Sequence, residues 1–261
     1  MTALATAGRI RGVEFSVSGT GLPVTVFAHG LGGSAAEVRP LALRTRGTRA
    51  VLSFRGHGGS DALPGGWDYD LLADDLRAVA DEVGATGCVG LSLGSGVLLR
   101  LLRDDSRRFD RLAMVLPAAL DAARADGATV RLDRIGSAID RGDVDAVAAL
   151  LLAEVPPHLH GTRAVPILLR RRAAELVRRP APVLLTADRP LPDRAVLSAV
   201  HAPCLVVAQR EDPLHPVALA RELASALPLA ELLVLPPGGV FWTATRAVQH
   251  ALADHLSPEA P

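Results

Sequence analysis

The stretch Cys88-Val89-Gly90-Leu91-Ser92-Leu93-Gly94 decides the fold, because it joins a predicted buried strand to a predicted helix through a sharp turn. A residue at the apex of such a turn takes a strained backbone conformation, and side chains two positions to either side would collide. Glycine at both of those positions lets strand and helix approach closely. The turn lifts the Ser92 hydroxyl clear of the sheet and aims the Leu93 N–H at the same point. Gly-x-Ser-x-Gly in this setting predicts a nucleophilic serine.

Working outward from this turn, short apolar runs alternate with longer amphipathic stretches. Buried strands are predicted at Val24–Ala28, Ala50–Phe54, Gly87–Leu91, Arg111–Leu116, Cys204–Ala208 and Leu232–Leu235, with an antiparallel edge strand at Ile10–Val17. Amphipathic helices are predicted at Tyr69–Val83, Ser95–Arg103, Val217–Leu227 and Arg246–Leu256. The alternation predicts an α/β fold in which a mostly parallel sheet carries helices on both faces.

One region departs from this alternation. Residues 118–200 are rich in Ala, Leu and Arg, and their best helices are predicted at Asp143–Glu154 and Leu168–Val177. We therefore expect a core made of residues 1–117 and 201–261, with residues 118–200 forming a helical insertion over one edge of the sheet. Five arginines of the insertion are interpreted as a solvated helix face rather than an anion site: Arg170, Arg171, Arg172, Arg178 and Arg179.

Composition excludes several classes of function. The 261 residues are 49% hydrophobic, enough for a substantial core, and 28 basic side chains balance 28 acidic ones, which argues against nucleic-acid binding. All basic side chains are arginines, so a Schiff-base or phosphate-binding lysine is excluded. The start resembles no signal peptide and no apolar run could span a bilayer. We expect a cytoplasmic protein with a small-molecule substrate or ligand, no membrane partner and no cofactor; its oligomeric state stays open.

A glycine-rich loop supports the serine prediction. His29-Gly30-Leu31-Gly32-Gly33-Ser34 follows the strand Val24–Ala28 and can present backbone N–H groups to an oxyanion, with Leu31 as the natural donor beside Leu93. The alternative is an ordinary strand-to-helix turn. His29 is expected to be structural in either case.

These two segments, together with Phe54-Arg55-Gly56-His57-Gly58-Gly59-Ser60-Asp61, resemble the α/β-hydrolase superfamily in their order and spacing. The resemblance covers Ile10 to about Pro117 and about Ala202 to His255. It implies an α/β-hydrolase core, a helical lid formed by the insertion, an architectural role for His57, and a substrate pocket lined by Gly30, Val240 and Phe241.

The resemblance also implies a catalytic acid after the strand that follows the lid and a histidine after the last strand. Asp212 stands at the position of the acid, with Glu211 as the competing carboxylate. Val240 stands where the family has its histidine, and valine cannot accept a proton. A serine hydroxyl without a base is a poor nucleophile.

His215, three residues after Asp212, is the best substitute base. If Asp212 caps the next helix with Pro213 at its first position, His215 falls in the first turn. The resemblance implies that residues there face the pocket, so we expect Asp212 to orient His215 toward Ser92. The alternative is a first-turn histidine with no proton to move. His158 and His160 are expected in a loop of the insertion, His250 and His255 on the surface, and no metal site is predicted.

The first hypothesis is a serine hydrolase of a small apolar ester, lactone or thioester. It uses Ser92, Asp212 and His215, with the Leu31 and Leu93 amides as the oxyanion hole. The second is a non-hydrolytic small-molecule binding protein that keeps the pocket. The third is a lyase, cyclase or isomerase of secondary metabolism that uses the oxyanion hole alone.

Overall fold

The computed structural model describes residues 6–63, 66–122, 127–178 and 188–257, and these form one eight-stranded sheet flanked by helices. The strands are β1 (Thr6–Ile10), β2 (Val13–Ser18), β3 (Val24–Ala28), β4 (Thr48–Ser53), β5 (Gly87–Leu91), β6 (Arg111–Val115), β7 (Cys204–Gln209) and β8 (Ala230–Leu235). Their spatial order is β1-β2-β4-β3-β5-β6-β7-β8. The pairs β1–β2 and β2–β4 are antiparallel and the others are parallel, which confirms the predicted α/β fold.

The α-helices are α1 (Ala35–Val38), α2 (Tyr69–Glu82), α3 (Leu93–Asp104), α4 (Gly127–Asp140), α5 (Val144–Leu151), α6 (Ala164–Arg178), α7 (Val217–Ala226) and α8 (Thr245–Leu256). Short 3-10 turns span Leu41–Arg44, Leu152–Glu154, Pro157–Leu159 and Arg194–Ala199, and a π-helical turn spans Gly239–Thr243. No helix of the described ranges is long and apolar enough to cross a membrane.

Alternate residues of the central strands face opposite helix layers, as the pleat of a strand requires. Val26 and Cys88 belong to one buried cluster with side chains of α2, α3 and α7. Phe27 and Val89 belong to a second cluster with side chains of α1 and α8. Burial on both faces explains why these strands are continuous apolar runs.

The antiparallel pairing predicted for Ile10–Val17 is confirmed, but this stretch is not a single edge strand. A turn at Arg11 and Gly12, with φ of 48° and 82°, divides this stretch into the hairpin β1–β2. Of these two strands, only β1 lies at the sheet edge, because β2 also pairs with β4. Both turn residues adopt left-handed φ, as a tight hairpin turn requires, and the Arg11-Gly12 pair is a weak sequence signal for such a turn.

The segment between β6 and β7 is helical where the structure describes it; residues 123–126 and 179–187 of the expected insertion lie outside the described residues. Helices α4, α5 and α6 share a small core of their own that includes Ile135, Val147 and Leu169. The returning chain is held to α3 by the buried Arg100, which donates to Asp188 (2.8 Å) and to the Pro190 carbonyl (2.7 Å).

Candidate active site

Ser92 occupies a strained turn between β5 and α3. Its φ of 50° and ψ of −107° lie outside the regions that side chains favour. A Cβ at Gly90 would stand 2.4 Å from the Gly94 carbonyl oxygen, and one at Gly94 would stand 2.6 Å from the Ala28 carbonyl oxygen. Helix α3 begins at Leu93, two residues earlier than predicted, so its positive N-terminal end lies directly at the serine.

His215 lies within hydrogen-bond reach of the serine. Its Nε2 is 2.9 Å from Ser92 Oγ, and its Nδ1 is 3.0 Å from Asp212 Oδ1. Serine, imidazole and carboxylate therefore form one chain of hydrogen bonds. All three side chains line the same cavity.

The Asp212 side chain organises the turn that presents His215. Its Oδ1 accepts the backbone N–H groups of Leu214 (2.8 Å) and His215 (3.0 Å). This turn precedes α7, which begins only at Val217, so the prediction that Asp212 caps that helix is wrong. The physical reason is Pro216, since a proline disfavours helical backbone at the preceding residue.

The hydrogen bonds define the imidazole tautomer. Burial opposes it, but the hydrogen bond from the His215 ring and those from the Leu214 and His215 backbone N–H groups hold the pKa of Asp212 below its usual value, so its carboxylate is ionised and can only accept. His215 Nδ1 must then carry the proton that it donates. Nε2 of the neutral ring is left as an acceptor directed at the Ser92 hydroxyl.

Two backbone N–H groups are available beside the serine. Leu31 and Leu93 both line the cavity, and neither N–H donates a hydrogen bond to any described residue. The two segments are tied together, because the Gly94 N–H donates to the His29 carbonyl (3.1 Å). An oxyanion at this position would meet donors from both loops.

His29 shapes the loop that carries Leu31 and takes no part in the hydrogen-bond chain. Its Nδ1 donates to the Gly30 carbonyl (2.7 Å), and its Nε2 accepts the Phe54 N–H (3.0 Å). Burial lowers the pKa of His29 to about 4. His57 packs against its ring, and burial lowers the pKa of His57 to about 4 as well. Both imidazoles are therefore neutral.

A cavity of about 910 Å³ lies above the serine, between the ends of the strands and the helical insertion. This volume suits a single small molecule. Gly30, Val240 and Phe241 all line it, as the sequence analysis expects of pocket residues. Val240 is buried on the π-helical turn, whereas Phe241 is partly exposed. Apolar side chains of the insertion complete the wall, among them Leu132, Ile135, Ile139, Leu151, Leu168 and Leu176.

Four charged residues that sequence reasoning missed also line this cavity: Glu37, Glu154, Arg172 and Asp188. The prediction that Arg172 belongs to a solvated helix face is only partly right: its side chain is 41% exposed, but its guanidinium also donates to Glu37 Oε1 (3.1 Å). Arg170 pairs instead with the exposed Asp145, and Arg179 lies outside the described residues. The position of Arg172 could have been predicted from helical spacing. Arg172 is four residues from both Leu168 and Leu176, so it lies on the same side of the helix as these two cavity-lining residues.

The remaining candidates lie outside the hydrogen-bond chain. Glu211 is exposed, and His160 Nε2 is within 2.8 Å of the Val155 carbonyl of its own insertion. His255 is not a free surface residue as expected, because its Nε2 bonds the Leu112 carbonyl (2.8 Å). Within the described ranges, no group of three His, Cys, Asp or Glu side chains is arranged to hold a metal ion.

Comparison with known proteins identifies the family of this chain. A model of the alpha/beta hydrolase family matches residues 25–255. The chain is 26% identical over 239 residues to the AB hydrolase superfamily protein YisY of Bacillus subtilis strain 168, and the match covers 85% of each protein.

Two solved structures share the fold. Serine hydrolase CCSP0084 from Cycloclasticus zankles superposes with a TM-score of 0.80 at 18% identity over 96% of each chain. The enol-lactonase from Burkholderia xenovorans LB400 gives 0.77 at 21% identity over 97% of this chain and all (100%) of that one. The family match extends from β3 to α8 and includes the serine turn, so this chain belongs to the α/β hydrolase family.

Proposed function

We propose that this protein is a serine hydrolase that cleaves a small, mostly apolar carboxylic ester, lactone or thioester. The observation that carries the proposal is the 2.9 Å contact between Ser92 Oγ and His215 Nε2, backed by the 3.0 Å contact between His215 Nδ1 and Asp212. A nucleophile, a base and an orienting acid in one chain of hydrogen bonds are what acyl transfer needs.

In the proposed reaction, Ser92 Oγ attacks the substrate carbonyl carbon while its proton passes to His215 Nε2. The carbonyl oxygen becomes negatively charged and accepts hydrogen bonds from the Leu31 and Leu93 N–H groups. The intermediate collapses when the protonated His215 gives its proton to the departing oxygen or sulfur. Water then attacks the acyl-serine in the same way, with His215 again as base, and releases the acid. Asp212 stays ionised and holds the ring in place.

The cavity supports a small apolar acyl or alcohol group. Its wall is largely aliphatic, and Val240 and Phe241 stand where they would contact a substrate bound at Ser92. Residues 118–200 would act as the lid that sets this specificity, because α4–α6 supply much of the wall. The likeness to an enol-lactonase is one of fold, and it supports the inclusion of lactones among the substrates to be tried.

The rival hypotheses assign no catalytic role to His215. A binding protein, or a lyase or cyclase that relies on the oxyanion hole, needs the Leu31 and Leu93 amides but no base at Ser92. A buried valine at position 240 fits those hypotheses. The hydrogen bond from His215 to Ser92 favours the hydrolase, because it supplies the acceptor that Val240 lacks.

A fluorophosphonate probe, which reacts only with activated serines, tests the proposal together with a panel of short-chain esters, thioesters and lactones. We expect labelling at Ser92 and turnover that the Ser92→Ala variant loses. Absence of both in the wild-type protein would refute the hydrolase. A tight complex with an unmodified small molecule that survives His215→Ala would then identify a binding protein.

A further inference from the structure

A carboxylate lies beside the proposed oxyanion hole. Glu37 Oε2 accepts the Gly30 N–H (3.0 Å), and the side chain is largely buried. Both Glu37 Oε2 and Ser92 Cβ are 3.5 Å from the point that a Cβ on Gly30 would occupy, so at most about 7 Å (twice 3.5 Å) separates them. A negative charge this close opposes the negative charge that develops on the substrate oxygen.

Arg172 supplies the opposite charge from the other side of the cavity. One guanidinium nitrogen donates to Glu37 Oε1 at 3.1 Å, so the ion pair joins α6 of the insertion to the segment that follows the Gly30 loop. Burial works against the charged guanidinium, but Glu37 and Glu154 outweigh it and raise the pKa of Arg172. Arg172 therefore stays protonated at every working pH.

A second, partly buried acid adds negative charge to the same cavity. Glu154 also lines the cavity, and Arg131 lies 3.7 Å from its carboxylate. Burial raises the pKa of Glu154, while the charges of Arg172 and Arg131 oppose that rise. Without Arg172, the Glu37 carboxylate would lose the cation that it contacts across the cavity.

We propose that Arg172 is a positioning residue that neutralises Glu37 and so permits the oxyanion to form beside Gly30. The inference rests on the proposed serine hydrolase function. It makes acylation depend on the contact between the insertion and the core, because the neutralising charge comes from α6 and the carboxylate from α1.

A double-mutant cycle tests this with the rate constant of Ser92 acylation by a fluorophosphonate and by a p-nitrophenyl ester. Arg172→Gln should slow acylation about tenfold, the order expected for an uncompensated charge at this distance. Glu37→Gln should acylate about threefold faster than wild type, because its amide oxygen can still accept the Gly30 N–H while the positive charge of Arg172 is no longer balanced. The double variant should recover to within about threefold, since the repulsive charge is gone.

Controls separate charge from structure. Arg171→Gln, on the exposed neighbour in α6, should acylate at the wild-type rate. Arg172→Lys keeps the charge without the planar fork, so it should stay within about threefold of wild type; this variant carries the test if Arg172→Gln does not fold. Thermal unfolding monitors folding throughout.

Two results would overturn the inference. A double variant as slow as Arg172→Gln would mean that Arg172 acts by packing or by touching the substrate. Slow acylation of Arg172→Lys would have the same meaning. If the wild-type protein is not acylated at all, the hydrolase proposal itself is refuted. If the wild type is acylated but the double variant stays slow, only the role of Arg172 is refuted.

Discussion

Asp212 and His215 are bound to each other twice within one turn. The same carboxylate oxygen, Asp212 Oδ1, accepts both the backbone N–H and the ring Nδ1 of His215, each at 3.0 Å. The acid thus fixes the backbone that carries the base and the rotation of its ring together. The rest of the fold has only to bring the serine to this pair. Ser92 follows β5, and one strand separates β5 from β7 in the sheet.

Loss of the imidazole should abolish most of the activity. We expect His215→Ala to lower kcat/KM for a good ester at least about 10³-fold, because no other described acceptor is bonded to the Ser92 hydroxyl. Steady-state kinetics measure this, with His250→Ala, an exposed histidine of α8, as the matched control. Activity of His215→Ala within tenfold of wild type would show that the base lies elsewhere.

The charge on Asp212 should matter more for turnover than for folding. In Asp212→Asn the amide oxygen can still accept the Leu214 and His215 N–H groups, so the turn should persist. The same oxygen can also still accept the Nδ1 proton of His215, but the negative charge that stabilises the imidazolium, formed when His215 takes the Ser92 proton, is gone. We expect kcat to fall about 10²–10⁴-fold with little change in the melting temperature. An unchanged kcat would show that the charge on Asp212 is dispensable.

The two glycines of the serine turn should be intolerant of a methyl group. A Cβ at Gly90 would come within 2.4 Å of the Gly94 carbonyl oxygen and 2.6 Å of the Ser95 nitrogen. We expect Gly90→Ala to lower the free energy of unfolding by about 2 kcal/mol or more, since backbone must move. Denaturant unfolding measures it. The control is Gly161→Ala, where no described atom lies within 4 Å of the new Cβ; equal losses in both variants would contradict the argument.

Stability should fall in mild acid because of the two buried imidazoles. The pKa of His29 is lowered to about 4 by burial, against about 6.5 for an exposed histidine. The unfolded chain therefore takes up the proton first, so the free energy of unfolding decreases as the pH falls from about 6.5 to about 4 and is insensitive to this group above about 7. The loss is on the order of 3 kcal/mol over that interval.

His57 allows this pH dependence to be checked. Its pKa is also lowered to about 4 by burial and, to a smaller degree, by His29. Urea unfolding of the wild type and of His57→Phe at several pH values between 7.5 and 4.5 should give a shallower decrease for the variant, which has one fewer group to protonate. Parallel curves would mean that His57 does not contribute.

Local patterns predicted much of the architecture. β3 and β5 begin and end at the residues that periodicity predicts, because buried parallel strands are continuous apolar runs. The serine turn and the glycine-rich loop follow from residue types within a few positions of each other, whereas Asp212 was predicted from the resemblance to the α/β-hydrolase superfamily. The β1–β2 hairpin and the position of Arg172 were missed, since the pairing with β4 and the contact with Glu37 join residues far apart in the chain.

Sequence alone placed a serine on a strained turn, predicted that two loops offer N–H donors and, through the family resemblance, indicated that Val240 leaves the base unassigned. Each of these features depends on residues within a single short segment. Tertiary structure decided that His215 reaches Ser92, 123 positions earlier, and that Arg172 faces the Glu37 carboxylate. Such contacts depend on the order of strands in the sheet and on how the insertion packs, and those are properties of the whole fold.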